Sequence, residues 1–127
     1  MKKVLYIDDD IDQLNLYQLA FTLRAKDKIE LFVEHDARKA IERIRSIKPD
    51  LVLLDLVMRD FSGADVAAEV RKEADIKDTL IVAFSNSSTN SAVVSSLKGV
   101  GITNIWEKIE MIPKMVVERV LALLGEK

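Results

Sequence analysis

Two apolar runs in this sequence stop on carboxylates: Val4-Leu5-Tyr6-Ile7 on Asp8-Asp9, and Leu51-Val52-Leu53-Leu54 on Asp55. Two further runs stop on groups of complementary type, Leu80 to Phe84 on Ser85 and Ile102 to Trp106 on Glu107-Lys108. Three carboxylates within a few ångströms of one another repel, which raises one or more pKa values unless a cation compensates. Magnesium, with manganese as a substitute, suits such a cluster: it takes one or two carboxylates and completes its shell with waters and a phosphate. Lys108 would add a second positive charge, and Ser85 a hydroxyl able to donate to a phosphoryl oxygen. A carboxylate is a competent covalent nucleophile. With a metal, the ammonium, the hydroxyl donor and a nucleophilic carboxylate oxygen complete the parts needed for an in-line phosphoryl transfer.

Such groups converge only if the elements carrying them run side by side. Short, continuous apolar runs separated by helical patterns read as strands of a parallel sheet buried on both faces, and ligands collect at the carboxyl ends of those strands. The chain alternates strand and helix five times, which argues for an α/β domain with right-handed crossovers. After the first strand, Asp10 and Gln13 have capping-box spacing. Leu14, Tyr17 and Phe21, with Leu16, Ala20 and Leu23, supply a helical stripe. Ile29, Leu31 and Val33 alternate with charged or partly exposed positions, as expected of a less buried edge strand. Asp36 then starts a helix with Ala37, Ala40, Ile41, Ile44 and Ile47 inward. Ser62 and Asp65 mark a helix over Gly63 to Ala74. The polar run Asn86 to Ser91 opens a helix of weak propensity that closes at Gly99 and Gly101. Met111 to Leu124, with Pro113 in its first turn and Gly125 after it, forms the last helix.

Composition narrows the function classes. At 127 residues and 49% hydrophobic, the chain is the size of one domain, and a single domain spanning 1–127 with a real core is expected, with no further domain in this chain. It reads either as a single-domain protein or as a fragment of a longer one. Net charge is −2 with Lys and Arg scattered, so no basic footprint for direct nucleic-acid binding is present. Absence of cysteine removes disulfide, zinc-finger and thiol-redox readings and leaves oxygen-based metal sites. Only four apolar residues separate Lys3 from Asp8, too few for a signal-peptide core or a membrane span, so no membrane insertion and a cytoplasmic location are expected.

With these residues assembled, the whole chain resembles the receiver domain of two-component response regulators, chemotaxis-regulator-like in build. Asp8-Asp9 matches that family's acidic pair after strand one, and Asp55 its phosphoacceptor after strand three. Ser85 matches its hydroxyl after strand four, and Lys108 its lysine after strand five. The resemblance implies a flavodoxin-like, doubly wound (βα)5 fold with a five-stranded parallel sheet of order 2-1-3-4-5. It implies Asp9 and Asp55 as direct magnesium ligands, Asp8 acting largely through water, and the backbone carbonyl of Val57 as a further ligand. Phosphate would come from a sensor histidine kinase or a histidine phosphotransfer protein. Output would be a changed affinity for a downstream effector at the face formed by helix four, strand five and helix five. On this reading the chain is no multiple-turnover enzyme. Its own chemistry is limited to self-catalysed phosphoryl transfer and slow loss of the phosphoryl group.

Four positions depart from the family pattern: Arg59 and Ile109 replace prolines, Ile105 replaces a switch aromatic, and Asn86 replaces a very small residue. An aromatic reorienting towards Ser85 is therefore ruled out at Ile105, and Asn86 narrows access to Asp55. Val57 and Ser87 fall where the family tunes phosphoryl lifetime. A valine side chain cannot orient an attacking water, so slow self-dephosphorylation is expected. The Lys108-Ile109 bond is expected to be trans.

Blander roles suit several residues: Asp10 as a helix N-cap, His35 as a surface residue and Trp106 as core packing. Gly99-Val100-Gly101 lacks the third glycine and the context of a dinucleotide loop. Two other functions compete. A haloacid-dehalogenase-like phosphohydrolase would use Asp8 and Asp10, but it lacks an acidic pair beyond Lys108 and leaves Asp55 unexplained. A degenerate receiver that binds a partner without phosphorylation would follow from the substitutions at Arg59, Asn86, Ile105 and Ile109.

Overall fold

The computed structural model describes residues 1–59, 61–86 and 91–126. Five strands form one parallel sheet of order β2-β1-β3-β4-β5: β1 Lys2–Ile7, β2 Ile29–Glu34, β3 Leu51–Leu54, β4 Ile81–Ser85 and β5 Asn104–Glu107. Between and after them run α1 Ile11–Ala25, α2 Ala40–Ile47, α3 Gly63–Lys72, α4 Ser91–Gly99 and α5 Pro113–Leu123. This is the doubly wound flavodoxin-like arrangement, with its switch point between β1 and β3.

The continuous apolar runs have a direct cause. Successive strand side chains point to opposite faces, and both faces are covered. Val4, Tyr6, Leu51, Leu53, Val82, Phe84 and Trp106 pack into one core with Leu14, Tyr17 and Phe21 of α1 and Val116, Val117 and Val120 of α5. Leu5, Ile7, Val52, Leu54, Ile81 and Ala83 enter a second core with Ala40 and Ile44 of α2, Val66 and Val70 of α3, and Leu97 of α4. Strand β2 lies at the edge, as expected, but its burial does not alternate: Leu31, Phe32 and Val33 are all half-buried and Glu34 is buried.

Helix boundaries follow their caps. Asp10 accepts the N–H groups of Asp12 and Gln13 and starts α1 as an N-cap. Asp36 caps a 3-10 turn, Ala37–Lys39, so α2 begins one turn later than expected. Ser62 caps α3 through Ala64 N–H, and α3 stops at Lys72 rather than Ala74. The final helix starts at Pro113, not Met111. A 3-10 turn, Lys108–Glu110, follows β5, and Ile112 is extended because the next residue is proline. Strands β4 and β5 are also offset from their expected spans, β4 by one residue and β5 starting two residues late.

The stripe on α1 is half of what its apolar spacing suggests. Leu14, Tyr17, Ala20 and Phe21 are buried, whereas Leu16 and Leu23 are 45% and 75% exposed, and Ile11 and Leu19 join them on the outer face. One helix face contacts the sheet, and the spacing of leucines at both 14 and 16 leaves the choice of face to packing.

Candidate metal and phosphoryl site

Strand register brings the four chemical groups together. Ile7 pairs with Leu54 and the Asp55 N–H donates to Ile7 O at 3.0 Å, so Asp8 and Asp55 leave adjacent strands side by side. Ser85 pairs with Glu107, which places Lys108 one residue beyond it. One carboxylate oxygen each of Asp8, Asp9 and Asp55 lies within 4.8 Å of the others. Asp8, Asp55 and Ser85 are buried, and Asp9 is half-exposed at the rim.

Lys108 is the counter-charge. Its ammonium bridges Asp8 Oδ2 and Asp55 Oδ2, the latter at 3.4 Å, and stands 5.7 Å from the Phe84 ring centroid. Asp8 is the most heavily bonded acid: Oδ2 also accepts the Tyr6 hydroxyl at 2.7 Å, and Oδ1 accepts Asp10 N–H at 2.9 Å. Asp9 Oδ2 accepts the backbone N–H of Arg59 at 2.8 Å, which ties the acidic pair to the loop after β3. Asp55 Oδ1 accepts Val57 N–H at 3.2 Å.

Burial pushes the Asp55 carboxyl above the usual carboxylate range, and the Asp8 charge pushes it further. Lys108, the Val57 N–H and the Ser85 side chain pull it back. Burial, with Asp8 second, also drives the Tyr6 hydroxyl far above the ordinary tyrosine range, so it is a donor at every physiological pH. Tyr17, beside it, is raised by burial to about 12.

Buried acids of like charge with a single ammonium between them fit a hard divalent cation: the oxygens are close, one acid reaches the rim, and nothing softer than oxygen is offered. Val57 lies in the loop just past Asp55, its side chain largely exposed. Asn86 is exposed at the end of β4 and lines a cleft with Asp10, Leu16, Lys108, Ile109 and Ile112. A second cleft beside Asp9 is bounded by His35, Met58 and Arg59. Ser87 lies outside the described residues.

Ile105 is half-buried in the core under α2 to α4, whereas the aromatic of β5, Trp106, faces α5, with the Arg119 guanidinium 5.9 Å from its ring. The Lys108-Ile109 bond is trans, as are all described peptide bonds. Asp10 is the N-cap expected of it, and His35 is exposed.

Two residues of the site escaped the sequence. Tyr6 looks like one more apolar residue of its strand, although its i, i+2 relation to Asp8 puts both on one side. Gly63 looks like a helix start, yet a Cβ there would lie 2.2 Å from the Asp55 carbonyl oxygen.

Residues 4–117 match the sequence pattern of the response regulator receiver domain. The chain belongs to that family. Its sequence is 32% identical over 84 residues to the response regulator protein VraR of Staphylococcus epidermidis. That alignment covers 65% of this chain and 39% of the relative, so this chain spans well under two thirds of the relative's length. Among solved structures, the signal receiver domain of a putative Luxo repressor protein from Vibrio parahaemolyticus superposes with a TM-score of 0.83 at 24% identity, covering 98% of this chain and 90% of that one. The chemotaxis protein CheY4 of Vibrio cholerae gives 0.83 at 22% identity, covering 96% and 98%. The Mn2+-bound form of response regulator Rcp1 gives 0.81 at 20% identity, covering 98% and 94%. These likenesses concern the fold. The receiver domain is a signalling module of two-component systems, in which such domains interact with kinases and effectors, and is not broadly an enzyme. No helix among the described residues is long and apolar enough to cross a membrane.

Proposed function

We propose that this receiver domain is a phosphorylation-controlled switch whose acceptor is Asp55. The observation that carries the reading is the cluster of Asp8, Asp9 and Asp55, two of them buried, with Lys108 bridging the buried pair. A carboxylate oxygen of Asp55 attacks the phosphorus of a phosphohistidine on a sensor kinase or phosphotransfer protein. The new P–O bond forms as the P–N bond breaks, and the electron pair returns to the imidazole nitrogen. Asp9, Asp55 and the Val57 carbonyl would hold Mg2+, or Mn2+ in its place, with Asp8 acting largely through water. The bound cation supplies charge neutralisation at the phosphoryl oxygens.

Ser85 and Lys108 then turn to the phosphoryl oxygens. Ser85 ends β4, and Lys108 follows β5, so their movement biases the face formed by α4, β5 and α5, and with it affinity for an effector. The cytoplasm is the compartment that suits a kinase-fed module. Nucleic acid is not contacted by this domain. The Rcp1 relative in its Mn2+-bound form supports the metal.

The test is intact-mass measurement after incubation with Mg2+ and acetyl phosphate, for the native protein and Asp55→Asn. One phosphoryl adduct, lost in the variant, is expected. No adduct on the native protein would replace the switch with a phosphorylation-independent binding module, the reading that Arg59, Asn86, Ile105 and Ile109 favour. The adduct is expected to decay slowly, because the Val57 side chain offers no group to orient a water. Rapid decay of the isolated phosphoprotein would remove that role.

A further inference from the structure

Asp8 holds three donors, and two of them share one oxygen: the Tyr6 hydroxyl and the Lys108 ammonium both bond Oδ2, while Asp10 N–H bonds Oδ1. Tyr6 is wholly buried and cannot turn away. Its ring stands edge-on to Tyr17, with centroids 5.4 Å apart at 86°, and tilted against Phe84 at 5.8 Å. Tyr17 and Phe84 meet edge-on at 5.5 Å. Strand geometry aims it: Asp8 directly follows β1, its N–H still bonded to Glu34 O, so the i, i+2 alternation carries from Tyr6 to Asp8. Phe84 of this cluster also underlies the Lys108 ammonium. Three elements, β1, α1 and β4, therefore build an aromatic platform whose one hydroxyl bonded to the acids is that of Tyr6.

We infer that Tyr6 is a positioning residue for Asp8, holding its carboxylate in place when Lys108 leaves it. The inference rests on the switch reading, in which Lys108 exchanges Asp8 for the phosphoryl group. At that moment Oδ2 of a fully buried carboxylate loses its charged donor, and an unsatisfied buried acceptor is costly. The Tyr6 O–H keeps that oxygen satisfied and stops the carboxylate turning about its terminal torsion, so the oxygen facing the cation stays where it is. Without it, Asp8 has only Lys108 for Oδ2. The ammonium is then held more tightly and opposes the cation. Outer partners of the acids around a metal typically change metal affinity by about 10- to 100-fold.

The experiment compares Tyr6→Phe with Tyr17→Phe and the native protein. Tyr17→Phe removes a hydroxyl from the same ring cluster without touching Asp8. Mg2+ affinity of the unphosphorylated proteins is measured by calorimetric titration, adduct formation by intact mass, and fold integrity by urea unfolding. Expected is a rise in Mg2+ Kd of at least about tenfold in Tyr6→Phe alone, with slower adduct formation that high Mg2+ restores. Equal Kd values for Tyr6→Phe and native protein, with native uptake of phosphoryl intact, overturn the positioning role and leave the switch standing. Equal losses in both variants reduce Tyr6 to packing and overturn it too. Native protein that takes up neither Mg2+ nor phosphoryl overturns both the inference and the switch.

Discussion

Asp55 gives up most of its hydration on folding and acquires Asp8 as a charged neighbour, with Lys108 3.4 Å away as the opposing charge. Burial dominates, and the carboxyl is raised above its ordinary value. The sign of the consequence follows from proton counting. Between the unfolded and the raised folded pKa the native state binds more protons than the unfolded state, so the group's contribution to stability is lost as pH rises through that window. Asp55→Asn removes the ionisable group and nearly keeps the shape. In metal-free buffer with a chelator, the variant is expected to be more stable than the native protein at pH 7, by on the order of 1 kcal/mol. The gap should widen as pH rises from about 4 towards neutrality. Urea unfolding at several pH values measures it, and a pH-independent gap would show that the charge of Asp55 carries no such cost. Saturating Mg2+ should close the gap, since the charge is then neutralised in the native protein alone.

Each strand end was legible because parallel strands buried on both faces are written as unbroken apolar runs, and their first polar residue marks where the chain emerges. Asp8, Asp55 and Ser85 are marked that way, whereas Lys108 stands one residue past Glu107, beyond a run that Thr103 and Asn104 interrupt. Proximity between elements carries no such mark. Leu16 and Leu23 share the spacing of the buried face of α1, and only the sheet's position decides that they stay outside. Gly63 is the sharper case: its N–H donates to Leu56 O at 3.0 Å, and the first turn of α3 sits on the backbone that carries Asp55. A methyl group there would be 2.2 Å from Asp55 O and 2.8 Å from Leu56 Cα, contacts with backbone that no rotamer relieves. Gly63→Ala is expected to cost about 2–3 kcal/mol and to slow phosphoryl uptake at a temperature where the variant is still folded. Gly99→Ala is the control: its added Cβ meets nothing within 4 Å, and helix propensity should make it neutral or stabilising by up to about 1 kcal/mol. Urea melts beside adduct kinetics separate the two effects, and a Gly63→Ala protein as stable and as reactive as the native chain would refute the close-approach argument.

At the scale of the molecule, the site is where the carboxyl ends of β1, β3, β4 and the β5–α5 connection meet, and these elements are built into two cores on opposite sides of one sheet. A cation held by Asp8 and Asp9 from the end of β1 and by Asp55 from the end of β3 would therefore tie together segments far apart in sequence, and the ligand set exists only in the folded chain. Binding of that kind stabilises by mass action, by about 2.7 kcal/mol at a hundredfold excess of free ligand over Kd. The melting temperature of the native protein is thus expected to climb with Mg2+ concentration, without a plateau over the decades above Kd. Asp9→Asn is the informative variant, because Asp9 stands at the rim, bonds only the Arg59 backbone among the described contacts, and can be neutralised without leaving a buried charge unpaired. Its metal-free stability should stay close to native while the Mg2+-dependent rise is largely lost. A native melting curve indifferent to Mg2+ would mean that Lys108 alone balances the acids. An unchanged rise in Asp9→Asn would instead assign the cation to Asp8 and Asp55 without the rim acid.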